Sequence, residues 1–250
     1  MQYFYSLFLY KDVIIYRNDN YKLHIKKAEK GDPVSQYHVG NCYYYGKNVK
    51  KNYSKAIEWY LKSSEGGNIQ ATYRLGRCYL LGHFGHRDIR DKKKAFELFL
   101  KSAEGGYKPA LYMVGYCYKY GVGILKDENK PFEWYLKAAK KGDSYSQNLV
   151  ANYYNDGIYI PKSGEKEFYW NRKAAMNGSC DAQHKIAEYY LNDSINRDER
   201  KAFKWYLRLT SSNLSAKAIY LVAKCYRDGI GTDKNLDEAT KWFKEYESVN

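Results

Sequence analysis

Gly40-Asn41-Cys42-Tyr43-Tyr44-Tyr45-Gly46 returns as Gly76-Arg77-Cys78-Tyr79-Leu80-Leu81-Gly82, and again as Gly115-Tyr116-Cys117-Tyr118-Lys119-Tyr120-Gly121. Looser copies follow: Ala151 with Tyr154, Ala187 with Tyr190, and Ala223 with Cys225 and Tyr226. Successive small residues stand 36, 39, 36, 36 and 36 positions apart. A period of this size belongs to a solenoid and not to a chain wrapped round one central core. Each unit then packs mainly on its neighbours, so a length of 250 residues does not by itself count domains. One array over residues 1–250 is the expectation.

Residues 35–67 define the unit. Ser35, Val39, Gly40 and Tyr43 share one face at helical spacing. Gly46 ends that helix, as a residue free to adopt positive φ would. A polar loop, 47–54, leads to a second helix through Ala56, Trp59, Tyr60 and Ser63, stopped at Gly66-Gly67. The small residue at 40 lets the helices approach, and Trp59 is expected to fill space between units. Later second helices carry Phe99, Trp134-Tyr135, Trp170, Trp205-Tyr206 and Trp242-Phe243, with stops at Gly106, Gly142, Gly178 and Asn213. The 39-residue step reflects a longer loop, 82–93. Full repeats are read as about 32–67, 68–106, 107–142, 143–178, 179–214 and 215–250. Residues 1–31 are a degenerate copy or cap, with Leu7, Val13 and Leu23 in the places of Tyr43, Val49 and Trp59.

The chain carries 42 Lys and Arg against 28 Asp and Glu, a formal charge of +14, and 30 tyrosines. That balance favours anionic partners: acidic peptides, nucleic acid or membrane surfaces. Lys55, Lys94, Lys130, Lys166 and Lys201 are spread through the repeats, however, as solvated helix faces often are. Met1 to Tyr16 lack a basic start and a cleavage site, so they read as structure and not as a signal peptide. No window approaches the roughly 18 apolar residues of a membrane span. Cys42, Cys78, Cys117 and Cys225 share one repeat position, which separates them too far for disulfides and marks them as small buried thiols of a reducing compartment. Cys180 is a loop outlier.

The repeat resembles the Sel1-like family, a tetratricopeptide relative with the pattern A-x-x-x-L-G-x-x-Y-x-x-G and then K-A-x-x-W-Y-x-K-A-A-x-x-G. It is carried by Ala71, Leu75, Gly76, Tyr79 and Gly82, by Lys55, Ala56, Trp59, Tyr60 and Lys62, and by Lys137, Ala138, Ala139 and Gly142. Repeats four and five depart, with Ala151 and Ala187 in place of Gly and Asp193 in place of a helix-ending Gly. The resemblance implies an all-α, right-handed superhelical solenoid of about six and a half repeats that mediates protein–protein interactions. Relatives act as adaptors in degradation complexes and as chitin synthase regulators, and some fungal ones are joined to kinase domains. A kinase-linked or adaptor assembly in a eukaryotic, fungal cytoplasm is the matching expectation, or the secretory pathway if a signal precedes Met1. Four sequons, at Asn52, Asn177, Asn192 and Asn213, would matter only in that second case.

In tetratricopeptide-like superhelices the first helix lines a groove with positions three before, one after and four after the small residue. Those positions are Tyr37, Asn41 and Tyr44; Tyr73, Arg77 and Leu80; and Tyr112, Tyr116 and Lys119. The fourth and fifth copies supply Asn148, Asn152 and Asn155, then His184, Glu188 and Leu191. The last supplies Tyr220, Lys224 and Arg227. Tyrosine and arginine are common interface anchors, so an extended and acidic peptide is the expected partner. The alternative is that the rings only cover the neighbouring helix. Binding of RNA or another polyanion is a second functional alternative, with bases on tyrosines and phosphates on nearby cations. Catalysis is a third: cysteine-rich bacterial relatives have been associated with penicillin hydrolysis, but this chain lacks their paired cysteines. It also lacks Walker, G-x-S-x-G and H-E-x-x-H motifs, and Gly121-x-Gly123 has no preceding strand. Cys78, His83 and His86 lie close in sequence but fall short of a zinc ligand set, so neither metal nor cofactor is expected.

Overall fold

The computed structural model describes residues 21–82, 90–193, 196–212 and 216–249. Leu7, Val13, His83, His86 and Asn213 lie outside them. Among the described residues the chain forms thirteen α-helices and no strand, the all-α solenoid class expected. It divides into two compact units, residues 1–126 and 127–250. The first holds α1 (Tyr21–Glu29), α2 (Pro33–Tyr45), α3 (Tyr53–Glu65), α4 (Ile69–Leu81), α5 (Lys92–Glu104) and α6 (Lys108–Tyr120). The second holds α7 (Lys130–Lys140), α8 (Ser144–Asp156), α9 (Gly164–Met176), α10 (Cys180–Asn192), α11 (Glu199–Ser212), α12 (Ala216–Asp228) and α13 (Leu236–Val249). Within each unit every helix packs on the next one in the sequence.

Capping chemistry sets the helix limits. Asp32, Asn52, Asn68, Asp91, Asp143, Ser163 and Ser179 each accept a backbone N–H of the helix they precede. These bonds satisfy donors that a helix start leaves unpaired. Gly46, Gly82, Gly121 and Gly157 end first helices with φ between 67° and 75°. Asp193 cannot take that conformation cheaply, and the chain leaves α10 extended instead, with φ −69° and ψ 130°.

The core contact inside a repeat joins a small residue to an aromatic ring. A Cβ built on Gly40 would lie 2.6 Å from the Tyr60 ring, and one on Gly76 would lie 2.9 Å from Phe99. Tyr60, Phe99, Tyr135 and Tyr206 are all buried. Trp59, Trp134, Trp170, Trp205 and Trp242 are only half-buried. The residue after the tryptophan takes the deep position in these four helices, while the half-buried Trp205 packs on the cluster of Ala174, Ala175, Ala182 and Ile186 that spans neighbouring repeats. The tryptophan has an outer role, with Lys62 over Trp59 at 4.8 Å, Lys137 over Trp134 at 4.3 Å and Arg208 over Trp205 at 5.3 Å. All three pairs have helical i,i+3 spacing, which puts the cation above the ring.

Polar bonds fix the register between helices. Ser63 and Ser102 donate to the carbonyls of Pro33 and Ile69 at 2.6 and 2.7 Å, tying each second helix to the start of its first. Gln36, Gln147 and Gln183 donate to the carbonyls of Ala28, Ala139 and Ala175, which lie in the last turn of the preceding helix. Such carbonyls have no partner within their own helix. The second glycine of Gly121-x-Gly123 is also architectural. Its φ is 74°, and a Cβ there would run into the Lys92 carbonyl that opens α5. Gly231 stands the same way against Glu199 in the second unit.

Gly40→Ala should test the closeness of this packing. Alanine favours helix by about 1 kcal/mol, but overpacking a filled core costs about 1–3 kcal/mol. A lower urea midpoint is expected, and a higher one would mean that the ring does not press on the glycine.

Candidate functional site

The first helices carry the positions expected to meet a partner, and their burial divides them. In residues 1–126, Tyr37, Asn41, Tyr73 and Tyr112 are buried. The Tyr60 hydroxyl donates to Asn41 Oδ1 at 2.8 Å, so that amide stabilises the repeat core. The Tyr37 ring lies 6.2 Å from Tyr60, and Tyr73 lies 5.7 Å from Phe99 and 5.2 Å from Tyr107. Packing accounts for these side chains. Tyr44, Arg77, Leu80, Tyr116 and Lys119 are half-buried and keep part of their surface in solvent.

Tyr44 packs edge-on against Tyr45 and Tyr53, with centroids 5.0 and 5.2 Å apart. Burial pushes its phenol pKa upward, and the nearby Arg77 guanidinium opposes that push. A tyrosine on α2 and an arginine on α4 thus form one local group. On α6, Tyr116 lies 6.3 Å from Tyr112 and 4.6 Å from Tyr120, and Lys119 Nζ sits 5.4 Å above the Tyr120 ring. Among the described residues neither Arg77 nor Lys119 forms an ion pair.

The second unit presents different material. Asn152 accepts from Lys185 Nζ at 2.6 Å, His184 lies 3.4 Å from Glu188, and Leu191 packs on the Phe203 and Tyr206 cluster. Asn148 is half-buried and Asn155 is exposed. Near the end of the array Tyr220 is 39 % exposed, backed by Phe243 at 5.9 Å and Tyr246 at 5.5 Å. Lys224 lies over it at 5.8 Å. Arg227 is engaged in a two-point pair with Asp228, both contacts being 2.8 Å.

Six consecutive segments, residues 33–68, 69–107, 108–143, 144–179, 180–213 and 216–245, match the model of the Sel1 repeat. The chain belongs to the Sel1-repeat family. Two solved structures have the same fold. One is a protective antigen of uropathogenic Escherichia coli with an SLR fold, 24 % identical, with a TM-score of 0.79 over 93 % of this chain and 49 % of that one. The other is a Sel1 repeat protein from Oxalobacter formigenes, 25 % identical, with a TM-score of 0.77 over 92 % and 65 %. The chain thus spans less than two thirds of either relative's length. No curated protein sequence matches it. Sel1-repeat proteins generally mediate protein–protein interactions and are generally a non-catalytic scaffold type.

Two other sequence features have structural explanations. Lys55, Lys166 and Lys201 lie 5.3–5.5 Å over the rings of Tyr43, Tyr154 and Tyr190, so part of the positive charge of this Sel1-repeat chain caps its own aromatic residues. The cysteines are free thiols, with Cys78, Cys117 and Cys225 buried and Cys42 half-buried. Burial pushes Cys78 and Cys117 up to about 12 and Cys225 up to about 11, which disfavours the thiolate a nucleophile or metal ligand needs. Among the described residues no group of three or more His, Cys, Asp or Glu is placed to hold a metal, and no helix is long and apolar enough to cross a membrane.

These thiols make alkaline pH destabilising. The native state keeps protons that the unfolded state releases near the ordinary thiol value of 9.0. Stability should therefore fall as pH rises from about 9 towards 12. Urea midpoints across that range check the sign; a rising midpoint would contradict it.

Proposed function

We propose that this Sel1-repeat chain is a non-catalytic scaffold that binds an acidic protein segment on the first-helix face of residues 21–126. The observation that carries this reading is the set of half-buried tyrosines interleaved with two cations that have no carboxylate partner among the described residues. Tyrosine supplies contact area at low entropic cost, and arginine can grip a carboxylate at two points. Arg77 beside Tyr44, and Lys119 beside Tyr116 and Tyr120, have these roles. Tyr37, Asn41, Tyr73 and Tyr112 set the helix spacing beneath them. Tyr220 and Lys224 form a smaller aromatic–cation group of the same kind in residues 127–250, while Arg227 is already neutralised by Asp228.

Charge reversal tests this reading. Arg77→Glu with Lys119→Glu changes two half-buried side chains and leaves the ring core intact. Quantitative affinity purification from nuclease-treated lysate should show partners of the wild type lost by roughly tenfold or more, as expected when complementary charges become repulsive. Unchanged capture by a folded double variant would refute the assignment.

A further inference from the structure

One second helix turns its aromatic residues outward. Tyr60, Phe99, Tyr135, Tyr206 and Phe243 occupy the position after the tryptophan or its equivalent, and α9 has Asn171 there. Asn171 is buried, and its Oδ1 has no hydrogen-bond partner. Two positions before it stands Tyr169, 50 % exposed. The other copies carry Glu58, Glu97, Glu133, Lys204 and Lys241 in that column. Five positions after it stands Met176, 57 % exposed, where the other copies have Glu65, Glu104, Lys140, Ser211 and Ser248. Single exposed apolar side chains are ordinary. Here two of them replace charge or hydroxyl on one helix, and their i,i+7 spacing puts them on one face.

Cations surround that face. Arg172 stands where other copies have Leu61, Leu100, Leu136 and Leu207. Lys173 Nζ lies 5.6 Å over the Tyr169 ring, and the Tyr169 and Trp170 rings meet edge-on at 5.2 Å. From α11, Arg208 donates to the Met176 carbonyl at 3.4 Å and lies 5.3 Å over the half-buried Trp205. Lys201 of α11 pairs with Asp198 and is close enough to Arg172 to feel its charge. Arg172, Lys173, Lys204 and Arg208 are all exposed. Both acids of α9 lie in its first turn, Glu165 exposed and Glu167 half-buried.

We propose that the outer face of α9, with Arg208 beside it, rests on an anionic lipid surface. Side chains with an apolar body and a polar or charged tip suit the headgroup layer of a bilayer. Lipid phosphates and carboxylates take the cations, while the Tyr169 ring and the Met176 thioether reach towards the acyl boundary. Nucleic acid fits less well. Base stacking uses ring faces, and cations lie over those of Tyr169 and Trp205. An acidic protein would satisfy the cations but would need a socket matched to both apolar tips, which a bilayer does not. The face is separate from the acidic-segment face of residues 21–126 and does not depend on that reading.

Co-sedimentation of the whole chain with vesicles tests the proposal. Binding to phosphatidylcholine–phosphatidylserine vesicles should be at least about tenfold tighter than to phosphatidylcholine alone, and should weaken as salt rises. Tyr169→Glu with Met176→Glu installs the residues that repeats one and two carry in those columns, so the fold should hold. Vesicle binding should then fall by roughly tenfold or more. Tyr169→Ser with Met176→Ser removes the apolar groups at constant charge and should also weaken it. Lys93→Glu with Lys94→Glu, both exposed in α5, removes twice as much charge as the glutamate pair in α9 and should weaken binding less. Equal binding to both vesicle types, no binding, or wild-type binding by either folded α9 variant would overturn the proposal. An equal loss in the α5 variant would overturn it too, since the attraction would then be one of general charge. Capture of RNA or protein that is lost in the α9 variants, without vesicle binding, would assign the face to that partner instead. Failure here would leave the acidic-segment reading untouched, because that face lies on other helices.

Discussion

Contact between one buried ring and one small residue governs this molecule. Tyr60 on Gly40 and Phe99 on Gly76 bring paired helices close enough for serine hydroxyls to reach the carbonyls of the partner helix. The seam between repeats is then fixed by Gln36, Gln147 and Gln183, which donate to carbonyls in the last turn of the preceding helix. In the fifth repeat Ala187 shares a cluster with Tyr206, so that helix pair must accommodate an extra methyl. The repeat tolerates this variation because each unit packs chiefly on its immediate neighbours.

Charge is organised at the same scale. Lysines at the starts of second helices cover tyrosines of first helices, and a second set of cations covers tryptophans from the turn below. Exposed pairs of this kind contribute about 0.5–1 kcal/mol each. Part of the positive charge that reads in composition as a general preference for polyanions therefore has a local structural use. Arg77 and Lys119 differ because they stand on first helices beside half-buried tyrosines. The outer face of α9 differs too, since Tyr169 and Met176 stand there where other copies carry charge or hydroxyl.

The period, the helix-ending glycines and the burial of three of the four cysteines at the shared position were all legible in the sequence. Spacing and φ preference are local properties that need no tertiary knowledge. The depth of individual side chains was less legible. Trp59 and Tyr60 are adjacent and both aromatic, and only the crossing of the helices decides which ring goes inward. Tyr37, Tyr73 and Tyr112 occupy groove positions by register, yet the neighbouring helix covers them. Register gives the direction of a side chain but not how far its neighbour extends. Asn171 could have been found by asking which copy lacks the ring, a comparison of columns that attention to the tryptophan obscured.

Restoring that ring tests the account most directly. If the position after the tryptophan is the structural centre of repeats one, two, three and five, Asn171→Phe should raise the urea unfolding free energy by about 1–3 kcal/mol, as burial of a phenylalanine in place of an unsatisfied amide should. A loss of stability, or none gained, would contradict the claim that the buried ring at this position strengthens the repeats that carry it.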